Sequence, residues 1–236
     1  MIRSLCVVIT LLCVPLFVHA ETGGDPLEGW NRAVFSFNQK ADEYVLTPVA
    51  KGYRTVTPAP VRKGVGNFFN NLGEPITAVN SALQAKPEKA VRSLTRFLFN
   101  TTFGLFGLFD VAGVMGLERE KEDLGQTLAY WGVGSGPYLV LPILGPSNLR
   151  DLGGQFVDRP LNPVSWQDEV GMMELMIADG IQTREQVLGL EPKTVGDPYV
   201  LMRSAYEQRR RYEINDGIVV DLFLDDPFLD DPSVAQ

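Results

Sequence analysis

The chain has only two cysteines and one histidine in 236 residues, and all three, Cys6, Cys13 and His19, fall within the first 20. That stretch has a basic start at Arg3, an apolar run from Leu5 to Phe17 and a small-residue site, Val18-His19-Ala20, before Glu21. This is the pattern of a secretory signal peptide (residues 1–20) cleaved after Ala20. A mature chain from Glu21 has neither residue type. Disulfides, thiolate or imidazole metal sites, and Ser-His-Asp or Cys-His nucleophile systems are thereby excluded. Acid–base chemistry is left with carboxylates such as Asp110, Asp123, Asp151 or Asp158, or a lysine. A lipid hydrolase would have to be built from those; the expectation is no enzyme, no cofactor and no metal.

Positive charge is also scarce. The mature chain has 20 basic and 29 acidic residues, a net of −9, and Glu213–Gln236 supplies seven of the acids and no base. No basic stripe exists for phosphate neutralisation, so nucleic acid is not an expected partner. The one basic cluster, Arg209-Arg210-Arg211, sits beside Glu207 and Glu213 and reads as a solvated helix face. The acidic end repeats Phe223-Leu224-Asp225-Asp226-Pro227 as Phe228-Leu229-Asp230-Asp231-Pro232. Proline every fifth residue forbids regular structure, so residues 218–236 are expected to be a disordered tail.

Charge nearly vanishes from the middle. Phe97 to Leu117 is 21 residues with Asp110 as the only charge, and 21 helical residues would span roughly 31 Å, about a bilayer's hydrocarbon thickness. Leu124 to Leu149 has no charge, yet five glycines and three prolines interrupt it, so it is not one spanning helix. Together these segments suggest a protein that works on or in lipid.

Around them the pattern is helical. Asp25-Pro26-Leu27-Glu28 predicts a helix start with Asp25 as N-cap. Leu27, Trp30, Val34, Phe37, Ala41 and Tyr44 then form one apolar stripe on a helix that should stop before Pro48. Pro48, Pro58, Pro60, Pro75 and Pro87 are expected to divide the adjoining stretch into short helices. After Lys86-Pro87, Ala90, Val91, Leu94, Phe97 and Leu98 keep helical spacing. Arg92 and Arg96 take the other side, suited to lipid phosphates or to plain solvent. If residues 97–109 were continuous helix, Phe99, Phe103, Phe106 and Phe109 would share an arc about 120° wide beside Gly104 and Gly107. With Phe97, these rings represent roughly 1,000 Å² of apolar surface, on the order of 25 kcal/mol if left in water. Either the protein's own core or acyl chains must cover them. Asp110 reads as the N-cap of Val111-Ala112-Gly113, or as a polar lining of a pathway. Residues 165–190 and 197–215 look helical, with Pro198 at a start and Gly217 as terminator.

Gly132, Gly134 and Gly136 alternate, but Pro137 comes next, and no strand–turn–helix context supports a phosphate loop. Ser135 is flanked at two residues by Val133 and Pro137 instead of the glycines of a nucleophile elbow. What remains is bendable backbone flanked by Tyr130, Trp131 and Tyr138, rings suited to an interface.

The chain resembles the MlaA (VacJ) family of bacterial outer-membrane phospholipid-transport proteins. The similar stretches run in order from Asp25 to Arg32 with Phe37 and Asn38, Asn80 to Gln84, and Arg96 to Ala112. They continue through Glu122 to Gln126, Gly136 to Pro146, and Asp197 to Tyr199 with Gln208, Arg209 and Asn215 to Gly217. The resemblance implies an all-α single domain, residues 21–217, lying as a ring in the outer membrane on its periplasmic side. Phospholipids misplaced in the outer leaflet would pass through its polar channel to a periplasmic carrier protein, with a trimeric porin holding the ring. Phe37 and Asn38 fall in the family's first-helix motif, and Gly132, Gly134, Gly136, Tyr138, Pro142, Gly145 and Pro146 in its channel region. Asp110 is grouped with them, while Phe97, Phe99, Phe103, Phe106 and Phe109 are taken to face lipid. One departure is that Leu12, directly before Cys13, does not fit the small-residue pattern of a lipidated cysteine. The competing expectation is a soluble periplasmic lipid-binding module with an internal apolar pocket.

Overall fold

Asp25 opens the first helix two residues later than an N-cap would. In the computed structural model its carboxylate accepts the Leu27 N–H at 2.9 Å, and α1 runs from Glu28 to Ala41. Residues 25–190 and 196–218 are described. The leader with Cys6, Cys13 and His19, and the acidic repeat from Phe223 to Pro232, lie outside the described residues.

The first helix does not stop before Pro48. It widens into one π turn, Asp42–Leu46, and continues as α2, Thr47–Val56. Pro48 has no N–H for the carbonyl four residues back, and the wider turn re-routes the ladder, with Thr47 N–H bonding the Asp42 carbonyl. Asp42 is fixed from the side as well, taking the Thr47 hydroxyl and two nitrogens of Arg184.

Pro75 likewise fails to break its helix. It lies inside α3, Ala59–Leu83, where packing against α4, Pro87–Thr102, absorbs one lost backbone bond. Asp110 caps α5, Val111–Val114, by accepting the Gly113 N–H at 3.0 Å, as its sequence predicts. Asp123 caps α6, Leu124–Tyr130, in the same way through Gln126 N–H.

Residues 138–148 hold the one departure from an all-α chain among the described residues, a hairpin of β1, Tyr138–Leu141, and β2, Gly145–Asn148. Its antiparallel register pairs Tyr138 with Asn148 and Leu141 with Gly145. Helix α7, Leu149–Asp158, comes next and then two 3₁₀ turns, Arg159–Leu161 and Pro163–Trp166. Two longer helices complete the described chain, α8, Glu169–Val187, and α9, Pro198–Ile214. Gly217, at φ 82°, terminates α9 with its N–H on the Tyr212 carbonyl.

Burial is inverted relative to an ordinary globular domain. Among the described residues, 21 polar or charged side chains are buried but only seven apolar ones, while 39 large apolar residues are exposed. That excess of outward apolar surface far exceeds what isolated surface residues explain.

Candidate functional site

The polar interior begins on α3. Asn71, Glu74, Thr77, Asn80, Ser81 and Gln84 are each no more than 2% exposed, and their spacing of three and four places them on one helical face. Helix α4 answers with Ser93, Arg96 and Asn100, also buried. Arg96 does not sit in solvent or on lipid phosphate. It donates to Glu74 at 2.8 Å, to Asp110 at 3.0 Å and to the Leu117 carbonyl. Burial pushes the Glu74 carboxyl above its usual range, and Arg96 and Arg119 only partly offset this. Asp110 ends below its usual range because the Gly113 N–H, Asn100 and Arg96 outweigh its desolvation.

These same contacts end the apolar segment as a helix. Helix α4 stops at Thr102, and residues 103–110 fold back in tight turns, with Phe106 N–H on the Thr101 carbonyl and Gly107 N–H on the Asn100 carbonyl. The continuous helix over 97–109 is therefore replaced by a re-entrant turn. Two glycines impose it. At Gly104 an added Cβ would meet the Phe109 carbonyl oxygen at 2.2 Å, and at Gly107, φ 96°, it would meet Asn71 Cβ at 2.6 Å. Asn100 locks the return by accepting the Ala112 N–H and donating to Asp110. The turn directs outward Phe103, Leu105, Phe106, Leu108 and Phe109, with Phe106 72% exposed. Phe97 and Phe99, on the helix itself, are half-buried. The polar side chains that anchor the turn face inward, the arrangement demanded where no water reaches the outside.

Asn38, grouped by sequence with the channel, clamps the hairpin. Its amide donates to the Leu141 carbonyl at 2.9 Å and accepts the Ile143 N–H at 2.7 Å. Asn31, two turns earlier on α1, does the same to the Tyr138 carbonyl and Val140 N–H, at 3.0 and 2.8 Å. Seven helical residues rise roughly 10.5 Å, and three strand residues roughly 10 Å, so one amide reaches the start of β1 and the other its end and the tip beyond. Phe37 beside them is exposed. Pro142, with Ile143 at φ 68° and Leu144, forms the hairpin's exposed tip, and Gly145, at φ 82°, and Pro146 begin the return strand. Gly132 and Gly136 also have positive φ, 86° and 66°, while Gly134 is exposed.

Tyr138 is not an interfacial ring like its neighbours Tyr130 and Trp131, which are more than half exposed. It is 5% exposed in the small apolar core with Val34, Val140, Tyr199 and Tyr206, its ring centroid 5.8 Å from that of Tyr206. The Tyr206 hydroxyl donates to Asp151 at 2.6 Å. Arg210 bonds the same carboxylate at 2.7 Å and Asp123 at 2.5 Å, so the middle arginine of the basic cluster is an internal clamp, not a solvated face. Desolvation alone would raise Asp123 and Asp151, but Arg210 holds both below the usual carboxylate range.

Between α3, the 119–123 segment, the hairpin tip, α7 and α8 lies a cavity of about 490 Å³. Gly73 and Thr77 of α3, Arg119, Lys121, Asp158, Arg159 and Asp179 line it, with Leu144, Phe156, Met172 and Met176 on its apolar side. About a third of the Arg119 side chain is open to solvent, yet desolvation still lowers its pKa, as fits a group in the wall of a cavity. Of the site residues singled out by sequence, none of the phenylalanines, Asp110 or the alternating glycines lines this space. The polar stripe and the lumen cations escaped a search for apolar periodicity; the signal that finds the stripe is the same 3–4 spacing applied to Asn, Glu, Thr and Ser on α3.

A helical body that turns apolar side chains outward around an amphipathic cavity defines a class of protein built for lipid surroundings. A profile of the MlaA lipoprotein family matches residues 23–213. The chain is 40% identical over 215 residues to the intermembrane phospholipid transport system lipoprotein MlaA of Shigella flexneri, covering 87% of this chain and 84% of that protein. The protein of the same name from Escherichia coli K12 is 39% identical over 214 residues, with the same coverage. An uncharacterized Rickettsia felis protein is 41% identical over 195 residues, 80% of this chain and 78% of its own. A chain solved in work on the structural basis for maintenance of bacterial outer membrane lipid asymmetry superposes with a TM-score of 0.75 at 40% identity, covering 81% of this chain and 100% of that one. This chain belongs to the MlaA lipoprotein family.

Proposed function

We propose that this protein is a non-enzymatic phospholipid conduit of the outer membrane. It takes misplaced phospholipids from the outer leaflet and passes them to a periplasmic carrier, so maintaining lipid asymmetry. The observation that carries the reading is the inverted burial: exposed phenylalanines and aliphatics match acyl chains, while a polar interior lies within, and its Thr77, Glu122 and Asp158 reach the wall of a cavity of headgroup size. A polar lining lowers the cost of moving a headgroup through a hydrocarbon layer without covalent chemistry. The names of the Shigella and Escherichia relatives support intermembrane phospholipid transport, and the structural neighbour supports the outer membrane as the place. Among the described residues no helix is long and apolar enough to cross a membrane, so seating rests on the outward turn at 103–109 and the amphipathic faces of α1 and α2. A trimeric porin is the proposed scaffold for the same outer belt.

Reconstitution into vesicles tests the reading. Protein-bearing vesicles are expected to move acyl-labelled phospholipid between leaflets faster than empty ones. No increase, with or without an acceptor protein outside, overturns the conduit.

A further inference from the structure

Three of the seven charged side chains that line the cavity are already satisfied. Glu122 accepts from Gln84, Lys86 and Lys89, Asp123 is held by Arg210, and Asp158 takes Asn80 and the Leu124 N–H. Four lining charges are not. Among the described residues, Lys121 and Arg159 have no carboxylate within 4.0 Å; Arg159 donates only to the Met172 thioether among side chains, at 2.8 Å. Arg119 reaches Glu74 only at 3.7 Å. Asp179 of α8 has no side-chain hydrogen bond, although Lys121 and Arg119 act on it through space against a desolvation that raises its pKa. Three cations and one anion thus line one open cavity, with Asp179 under the pull of Lys121 and Arg119.

Resting on the conduit reading, we propose that this cavity reads a zwitterionic headgroup, a phosphodiester carrying a primary ammonium. Arg119, Lys121 and Arg159 take the phosphate and Asp179 takes the ammonium. Guanidinium forks and a lysine ammonium suit phosphate oxygens, and a lone carboxylate suits an ammonium's three donors. Phe156, Met172 and Met176 supply the apolar wall for the glycerol and first methylenes. Three cations alone would hold any phospholipid. Asp179 adds the discrimination, because it repels a headgroup that brings no positive charge. One partly solvated charge contact discriminates by roughly fivefold.

The test uses the full protein in vesicles carrying acyl-labelled phosphatidylethanolamine or phosphatidylglycerol, with inter-leaflet movement read by bleaching the outer label. The ethanolamine lipid is expected to move roughly fivefold faster, Asp179→Asn to equalise the two rates, and Lys121→Gln to slow both. Circular dichroism is expected to show unchanged helicity for Asp179→Asn, since no hydrogen bond is lost. Equal rates in the unaltered protein, or a preference that survives Asp179→Asn, overturn the headgroup assignment and leave the conduit standing. Movement of neither lipid overturns the conduit itself.

Discussion

Replacing Arg96 with alanine tests the polar interior at its centre. The guanidinium is 3% exposed and bonded to Glu74, Asp110 and the Leu117 carbonyl. Glu74 is 1% exposed and its second oxygen has no hydrogen-bond partner even with Arg96 in place. Removing the cation leaves that carboxylate buried with only the longer Arg119 contact at 3.7 Å, a change that costs roughly 3–5 kcal/mol. The loss depends on pH in a definite direction. Glu74 already titrates above its usual value, so its protonated form favours the fold. That contribution is present below the unfolded carboxylate value, roughly 4.3, and is lost as pH rises through the higher folded value. Without Arg96 the folded value climbs further, so the variant is expected to be much weaker at pH 8 than at pH 5. Denaturant unfolding in detergent micelles, followed by helical circular dichroism, measures both. Adding Glu74→Gln should restore on the order of 1–3 kcal/mol at pH 8. A loss below about 1 kcal/mol, or one that is independent of pH and untouched by Glu74→Gln, would refute the buried pair as a stabilising unit.

The geometry sets three further outcomes. Asn31→Ala strands a buried carbonyl and N–H on β1 and should cost roughly 2–3 kcal/mol, with Asn38→Ala nearer 1 because its site is wetter. Hydrogen exchange is expected to quicken at the Val140 amide in the first and at Ile143 in the second, and unchanged protection would defeat the edge-clamp account. Gly107→Ala, with a 2.6 Å approach to Asn71 Cβ, should destabilise by at least about 2 kcal/mol. Gly116→Ala has a similarly positive φ but open space around it and should cost only about 1 kcal/mol, a ranking that thermal melts can check. Asp123 and Asp151 titrate below their usual values, so their stabilisation is full above the ordinary Asp value and disappears as pH falls through the lowered ones. Arg210→Met should therefore weaken the protein at pH 7 far more than at pH 3, and an equal loss at both would count against the clamp.

Much of the fold is legible in the sequence where signals are local. Asp110, Pro198 and Gly217 begin or end helices as their residue types dictate, because such signals need only their own turn. What fails is the step from helical spacing to a continuous helix. Phe99, Phe103, Phe106 and Phe109 keep helical spacing on paper, yet Gly104, Gly107 and the amide of Asn100 decide the backbone, and Gly107 is held against Asn71 on another helix. Pro48 and Pro75 look like breaks, but a π turn and packing against α4 carry the chain through. Arg210 reads as surface in a basic triplet; besides the local Glu213, the carboxylates that draw it inward, Asp123 and Asp151, are 87 and 59 residues away. The cavity charges Lys121 and Asp179 carry no motif, being defined only by which neighbours leave them without an ion pair, and Arg119 keeps only a long contact to Glu74.

The amide-and-ion-pair interior bears on how such a chain can drift over generations. Its outer side chains need only be greasy, so leucine, valine and phenylalanine can trade places there with little effect. Its inner asparagines, glutamates and arginines are held by directional bonds that even a conservative swap would break. A saturation mutagenesis map of this protein should therefore look like the photographic negative of one from a water-soluble enzyme, permissive at hydrophobic positions and intolerant at polar ones.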